Sequence, residues 1–379
     1  MLSSIFDQLF VIEATDSKPM IQEKVPGKLF LAGEYAVLEA GQPAILIAVD
    51  QYLTCQIMPS QSNGYGALAS ENSNQEPHQY VRTPSGVIVT KENSYWNYAL
   101  NAIQTTEEVL REGGVDLKDY RIRYITDLVS EDGDKYGLGS SGAVTVSTIK
   151  ALLSFYNVKV RDNETLFKLA AISLIRAHSK GSLADIAAIV TGGWVYYQSF
   201  DRKRLKQKLQ LGASTLSLIS KKWPLLKIES LPEVSHMQLL VGWTQKPAST
   251  DQLVTDLQSQ IQKNPEAYQM FLKQSASCVR NMFHAFMSDN LIEIQNNLAD
   301  YRYLLLNLND VFGVTIETPD LSNLITIAQS YQYESKSSGA GGGDCGIAIG
   351  YDHQPSQMLL DSWKEAGIIP LHIKVAPHT

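Results

Sequence analysis

The chain is short of charge and of cysteine, and it contains no long apolar run. Only 19% of its 379 residues are Asp, Glu, Lys or Arg, against a usual ~25%. With 32 basic and 39 acidic residues the net charge is −7, which excludes a globally basic nucleic-acid binder. The longest clean apolar stretch, Ala44 to Val49, falls far below the ~18 residues of a membrane span. Cys55, Cys278 and Cys345 are odd in number and without paired spacing. They argue against a disulfide framework and a thiolate zinc site, and for a reducing compartment. None of the seven histidines lies three or four residues from another, so no helical metal pair is available. The N-terminus carries Asp7 and no basic residue before Lys18, unlike a secretory leader, and the expected compartment is the cytoplasm.

What is present is ordinary globular material, 44% apolar, long enough for two or three domains with their own cores. No internal repeat or low-complexity tract interrupts it. Pro59 to Pro84, rich in Ser, Asn, Gln and Gly, reads as a long loop or irregular hairpin. β-Branched and aromatic residues predict strands at Gly27 to Leu31, Ala44 to Met58, Arg121 to Thr126, Trp194 to Phe200, Met237 to Trp243, Cys345 to Tyr351 and Pro370 to Val375. Capping residues and glycine stops predict helices after Ser94 to Arg111, over Ala143 to Phe155, Asn163 to Ala177 and Thr250 to Lys263, then Pro265 to Met287 and Asn290 to Asn309. The charged, proline-containing stretch Lys203 to Glu233 separates a mixed N-terminal portion, 1–230, from a helix-rich C-terminal portion, 231–379. The fold class expected is α+β. The nineteen residues before Met20 read equally as an ordered extension, a loose tail or a misassigned start.

Chemistry concentrates in three glycine-rich segments: Val25 to Tyr35, Gly137 to Gly142, and Ser338 to Gly346. In the second, Gly-Leu-Gly-Ser-Ser-Gly runs directly into a helical pattern. Side-chain-free glycines and a helix N-terminus together form a phosphate cradle. The same six residues match the dinucleotide fingerprint, with Asp162 twenty residues beyond Gly142. However, the polar hexapeptide Ser130 to Lys135 stands where that fold requires a buried strand, and no Walker A ending follows. The third segment feeds the apolar Ile347-Ala348-Ile349, and its glycine density costs backbone entropy that a plain connection would not spend.

In this order and spacing the three segments resemble the GHMP kinase superfamily over nearly the whole chain, from Lys24 onward. Lys28-Leu29-Phe30-Leu31-Ala32-Gly33-Glu34-Tyr35, Gly242-Trp243-Thr244 followed by Pro247-Ala248-Ser249-Thr250, and Gly343-Asp344-Cys345-Gly346 look most like the phosphomevalonate kinases within it. Gly181 to Ala187 resembles the segment bearing the acidic residue beside the acceptor. The resemblance implies two domains, an N-terminal ribosomal-protein-S5-like unit and a C-terminal ferredoxin-like unit with a deep cleft between them. It also implies ATP-dependent phosphorylation of 5-phosphomevalonate, with ATP and Mg²⁺ as cofactors and a monomer or homodimer. By the same resemblance Lys28 and Asp185 are catalytic, and Lys135, Gly137, Leu138, Gly139, Ser140, Ser141 and Gly142 hold the ATP phosphates, with Ser141 on the metal. Ser182, Ser338, Gly339, Ala340, Gly341 and Gly342, with Lys28, face the acceptor.

Mevalonate kinases place a glutamate about three helical turns before the catalytic Asp. Leu166 to Ala177 contains no acidic residue, which leaves the second magnesium ligand to water. A phosphate acceptor, with its second pKa near ~6, is already mostly dianionic at neutral pH, so Asp185 is expected to orient Lys28 rather than act as a base. Tyr95, Trp96 and Tyr98 offer faces to adenine, although Trp96 on an amphipathic helix also reads as core. Ser249 and Thr250 read either as contacts to the acceptor phosphate or as a helix N-cap. A mevalonate kinase, a catalytically silent ATP and metabolite sensor, and a dinucleotide oxidoreductase remain the alternatives at this level.

Overall fold

The computed structural model describes residues 2–13, 19–60, 65–71, 77–83, 86–89 and 94–379. In chain order the strands are β1 (Phe10–Ile12), β2 (Ile21–Ala32), β3 (Pro43–Pro59), β4 (Tyr65–Ser70), β5 (His78–Thr83), β6 (Gly86–Val89) and β7 (Tyr120–Thr126). They continue with β8 (Val158–Val160), β9 (Trp194–Gln198), β10 (Lys227–Leu231), β11 (Met237–Trp243), β12 (Glu334–Ser337), β13 (Cys345–Tyr351) and β14 (Ile369–Leu371). The helices are α1 (Leu2–Leu9), α2 (Asn97–Glu112), α3 (Ser140–Phe155), α4 (Asn163–Arg176), α5 (Ala184–Thr191) and α6 (Arg202–Gln210). They are followed by α7 (Thr215–Ile219), α8 (Thr250–Ile261), α9 (Pro265–Met287), α10 (Leu291–Phe312), α11 (Pro319–Ser330) and α12 (Ser356–Glu365).

The unbroken apolar run Ala44 to Val49 is the centre of the fold. A strand with no polar face must be covered on both sides, and here α3 and α5 pack on β3, as does α9. The Phe286 and Phe283 rings of α9 rest on Trp194 and Tyr196 of β9, at 5.2 and 4.9 Å. Around β3 the larger sheet runs β10-β9-β3-β7-β4-β5-β6, with β2 also pairing β3. The polar stretch after Pro59 takes the hairpin form of the two expected: β4 and β5 pair antiparallel, and β4 also runs parallel to β7. Leu68 and Tyr80 supply the buried side chains that hold it. Residues 61–64, 72–76 and 84–85 of that stretch lie outside the described residues.

The chain leaves this sheet at Leu231 and enters a second one, the antiparallel order β12-β13-β11-β14, at Met237. Its last residues then return to the first unit. Val375 bridges Val49, the Ala376 N–H donates to the Ala48 carbonyl at 2.8 Å, and the Thr379 N–H donates to the Thr191 carbonyl at 3.0 Å. The strand expected over Pro370 to Val375 is thus a short β14 followed by this crossover. Of the residues before Met20, 2–13 pack on the first unit, where β1 pairs β8 and Phe6 and Phe10 stack at 4.8 Å, both buried; residues 1 and 14–18 lie outside the described residues. α6, α7, α11 and α12 escaped the sequence reading because they are short and stabilised chiefly by packing. Among the described residues no helix is long and apolar enough to cross a membrane.

Candidate active site

Two left-handed glycines shape the phosphate cradle. Gly137 and Gly139 have φ of +81° and +84°, a region that side chains other than hydrogen rarely adopt. Gly139 is the N-cap of α3 and offers no side chain to the first-turn N–H groups, which leaves them for an anion. A Cβ at Gly139 would lie 2.9 Å from Cγ of Lys28, so the close approach of that lysine also requires glycine. β2 is tied to the cradle at the same point, where the Lys28 N–H donates to the Leu138 carbonyl at 2.9 Å. The dinucleotide alternative ends here: Asp162 caps α4 by accepting from the Thr165 N–H at 2.6 Å, and no strand runs into Gly137.

The Lys28 ammonium donates to the Gly137 carbonyl at 3.0 Å. Burial holds its pKa below the ordinary lysine value, and Asp185, then Asp344, oppose that by their negative charge. No ion pair joins Lys28 to either carboxylate, so the cation is surrounded by acids and bound by none of them. Asp185 stands in the first turn of α5, where the backbone N–H groups of residues 186 and 185 favour its charged form. Leu183, the residue capping that helix, is forced to φ +67°, a costly conformation for a bulky side chain. Burial raises the Asp185 pKa, and Lys28 counteracts it. Opposite, a Cβ on Gly142 would come within 2.6 Å of the Asp185 carboxylate. The fold therefore packs Asp185 directly against the turn that carries Ser141.

Asp344 closes the other side. A Cβ on Gly137 would lie 2.6 Å from its Oδ2, and its Oδ1 accepts from the Ala248 N–H at 3.2 Å. Burial raises its pKa, while the Ala248 bond and the charges of Lys28 and Lys135 lower it. Lys135 is exposed at the rim. Cys345 beside it is buried and donates to the Tyr136 carbonyl at 3.1 Å; burial pushes its thiol up, so it is no nucleophile.

Beyond Lys28 a small cavity of about 60 Å³ is lined by residues that include Glu34, Tyr35, Ser182, Thr250, Gly339 and Ala340. One lining residue, Glu34, forms an ion pair with Lys336, the two side chains 2% and 0% exposed. Glu34 Oε1 also accepts from the Gly339 N–H at 3.3 Å, whereas Oε2 is buried with no partner. Burial lowers the Lys336 pKa, and Glu34 counteracts it.

The structure thus gathers Lys28, Asp185, Gly137 to Gly142, Ser182, Gly339 and Ala340 around one cleft, with Lys135 at its edge. It does not gather all that the sequence proposed. Trp96 is 2% exposed and packs on Tyr124 at 6.1 Å, so its face is closed to a base. The Ser338 hydroxyl accepts from the Phe30 N–H at 2.8 Å and donates to the Phe30 carbonyl at 3.0 Å. It is a clasp between the two sheets and has no hydrogen left for a ligand. Ser249 is an exposed N-cap that accepts from the Gln252 N–H, and its neighbour Thr250 reaches the cavity instead. Gly341 and Gly342 press on Ile316 and Leu253, giving the loop its shape from behind. Lys336 and the placement of Asp344 over Gly137 were missed. Nothing local marks Lys336, whose partner lies 302 residues away. Among the described residues no cluster of three or more His, Cys, Asp or Glu forms a metal cage. The Ser141 hydroxyl and the Asp185 carboxylate at the cradle are hard oxygen donors, too few to hold Mg²⁺ without water and phosphate oxygens.

Residues 97–193 match the family model for the GHMP kinases N terminal domain, and residues 282–369 that for the GHMP kinases C terminal domain. The chain is 33% identical over 373 residues to a phosphomevalonate kinase of Streptomyces sp. (strain CL190), covering 96% of this chain and 99% of that one. It is 25% identical to a mevalonate kinase of Thermococcus sibiricus, over 93% and 95% of the two chains. Among solved structures, Streptococcus pneumoniae phosphomevalonate kinase in complex with phosphomevalonate and AMPPNP superposes with a TM-score of 0.81 at 30% identity, covering 94% of this chain and 99% of that one.

Proposed function

The chain belongs to the GHMP kinase family, and on that premise we propose the residue roles by which it performs the family's phosphoryl transfer. The reaction is the ATP-dependent phosphorylation of phosphomevalonate. The observation that carries the residue assignment is the Lys28 ammonium, held at the glycine cradle without an ion-pair partner and 5.7 Å from the ring of Phe30, which lines the acceptor cavity. Two polyanions must meet inside a protein of net charge −7, and their repulsion is lowered only by local cations and N–H groups.

The N–H groups at the start of α3 and Lys135 hold the ATP phosphates, and Lys28 neutralises charge between donor and acceptor oxygens. Transfer of this kind depends on positioning and charge stabilisation rather than covalent chemistry by the protein. The acceptor oxygen belongs to a phosphate that is mostly dianionic at neutral pH and needs no base. Asp185 therefore acts by keeping Lys28 protonated and placed. Mg²⁺ would be held by Ser141 and Asp185 with the phosphates, and when bound it would supply further neutralisation of the transferring group. Ser182, Thr250, Gly339 and Ala340 face the acceptor.

An assay of ADP release with mevalonate and with 5-phosphomevalonate tests this reading. Release with 5-phosphomevalonate and formation of the diphosphate is the expected result. Release with mevalonate alone would replace it by the mevalonate kinase reading, and ATP hydrolysis with no phosphorylated product by the sensor reading.

A further inference from the structure

A second cavity, of about 210 Å³ against about 60 Å³ for the acceptor cavity, shares no lining residue with it. α6 contributes Arg204, Leu205 and Lys208, with the preceding Asp201, at the spacing of a single helix face. The rest of the lining is Phe200, Leu218 of α7 and the turn Lys221 to Leu225. Its apolar part is continuous, since the Phe200 and Trp223 rings lie 4.5 Å apart. The turn is braced from the core side: Nε1 of Trp223 donates to the Leu218 carbonyl at 3.0 Å, and the buried Lys168 ammonium donates to the Lys221 carbonyl at 2.8 Å. At its end Leu225 takes a φ of +70°, a costly conformation for a bulky side chain. The Gln198 side chain holds it there by donating to its carbonyl at 2.8 Å.

The cavity also collects positive charge. Between Asp201 and Glu229 the chain carries eight of its 32 basic residues and no acid, in a protein of net charge −7. Local structure opposes this placement. Arg202, Lys203 and Arg204 crowd the first turn of α6, which holds no acid, at the helix end where the dipole disfavours cations. Arg204 and Lys208, four residues apart, repel each other. Asp201, the acid of the lining, has an oxygen engaged as the N-cap by the Arg204 N–H at 2.9 Å. Nearby Lys168 and Lys227 find partners in Glu164 at 2.7 Å and Glu229 at 3.0 Å. Among the described residues Arg204, Lys208, Lys221 and Lys222, all lining the cavity, have none.

We propose that this cavity is a second binding site, for a small phosphate ester with a short apolar body. The four cations supply charge-assisted hydrogen bonds to the phosphate, and Phe200, Leu205, Leu218 and Trp223 receive the apolar part. Size agrees with this division: an apolar cavity of ~150 Å³ holds a benzene ring, so about 210 Å³ takes such a ring and leaves room for its head group. A flat lipid surface would reach the exposed lysines and leave the recess unfilled, so concavity decides for a small molecule. The site stands independently of the roles assigned in the catalytic cleft.

The test is isothermal titration calorimetry of the full chain with phenyl phosphate, inorganic phosphate serving as the comparison. Phenyl phosphate is expected to bind at a single site, about 10-fold or more tighter than inorganic phosphate, the factor for burying a ring of this size. Saturating AMPPNP and 5-phosphomevalonate should leave that affinity unchanged. The double variant Lys221→Gln with Lys222→Gln should weaken it by about 10-fold or more, the range for hydrogen bonds to a charged group, and so should Arg204→Gln on α6. All three side chains are exposed, and turnover of both variants should stay at the wild-type value. Affinity unchanged in both variants overturns the proposal, as does displacement by AMPPNP or 5-phosphomevalonate, which would put the probe in the catalytic cleft. Equal affinity for the two probes overturns the apolar half of the site. Sedimentation with phosphatidylserine vesicles, without phenyl phosphate binding, overturns it in favour of a lipid surface.

Discussion

Glu34 at the end of β2 and Lys336 on β12 form an ion pair that joins the two sheets where solvent does not reach. Lys336 also donates to the Ser337 carbonyl at 2.6 Å, and the Tyr301 hydroxyl donates to the Glu34 carbonyl at 2.9 Å. The pair fixes the start of the third glycine-rich segment, since the Gly339 N–H also bonds Glu34. Catalytic geometry in the cleft therefore depends on a contact that touches neither nucleotide phosphate nor Lys28.

Breaking a buried pair from one side leaves an uncompensated charge. Lys336→Met is expected to lower unfolding stability by about 3–5 kcal/mol, read from the urea midpoint. The double variant Lys336→Met with Glu34→Gln should recover part of that loss. A single variant as stable as wild type would mean that the pair contributes nothing net.

Lys28→Met should reduce kcat by about 10²–10³-fold, the cost of one preorganised charge-stabilising donor. The pH profile separates its role from that of Asp185. Burial holds the Lys28 pKa below its usual 10.5, and the Asp185 charge raises it again. The alkaline limb of kcat/KM, which reports the free enzyme and where Lys28 loses its proton, is therefore expected below the ordinary lysine range. Removing the negative charge in Asp185→Asn takes away an upward influence, so that limb moves to still lower pH. An unmoved limb in Asp185→Asn would sever the link between the two residues.

Gly142→Ala isolates the packing of Asp185. The position lies in the first turn of α3, where alanine gains about 1 kcal/mol of helix propensity over glycine, but the new methyl would stand 2.6 Å from the Asp185 carboxylate and 3.0 Å from Ile189. The expected result is a fall in kcat with thermal stability little changed. Wild-type turnover would show that the carboxylate has room to move without consequence.

The N-terminal extension is predicted to serve stability alone. Phe6 fills the space over Gly113, whose Cβ would sit 2.4 Å from its ring, and it stacks on Phe10. Phe6→Ala is expected to cost about 3 kcal/mol while kcat and both KM values stay unchanged. A changed KM for either substrate would connect this segment to the cleft.

The three glycine-rich segments were legible in the sequence because their demands are local. A left-handed φ at Gly137 or Gly139 and a cap at the head of α3 are decided by a few consecutive residues, and so is the two-sided burial of Ala44 to Val49. The same locality misled where one residue type serves two ends. Ser338 and Trp96 carry groups that a ligand would use, but the hydroxyl is taken by Phe30, 308 residues away, and the indole by the core.

By itself, then, the sequence determined the ordinary globular composition, the order of the three glycine-rich turns and the family resemblance they carry. Tertiary structure alone decided which groups face one another: Asp185 against Gly142, Asp344 over Gly137, and Glu34 on Lys336. The reason is physical. Backbone conformation answers to neighbours in the chain, whereas the worth of a charge depends on burial and on groups brought together from hundreds of residues away.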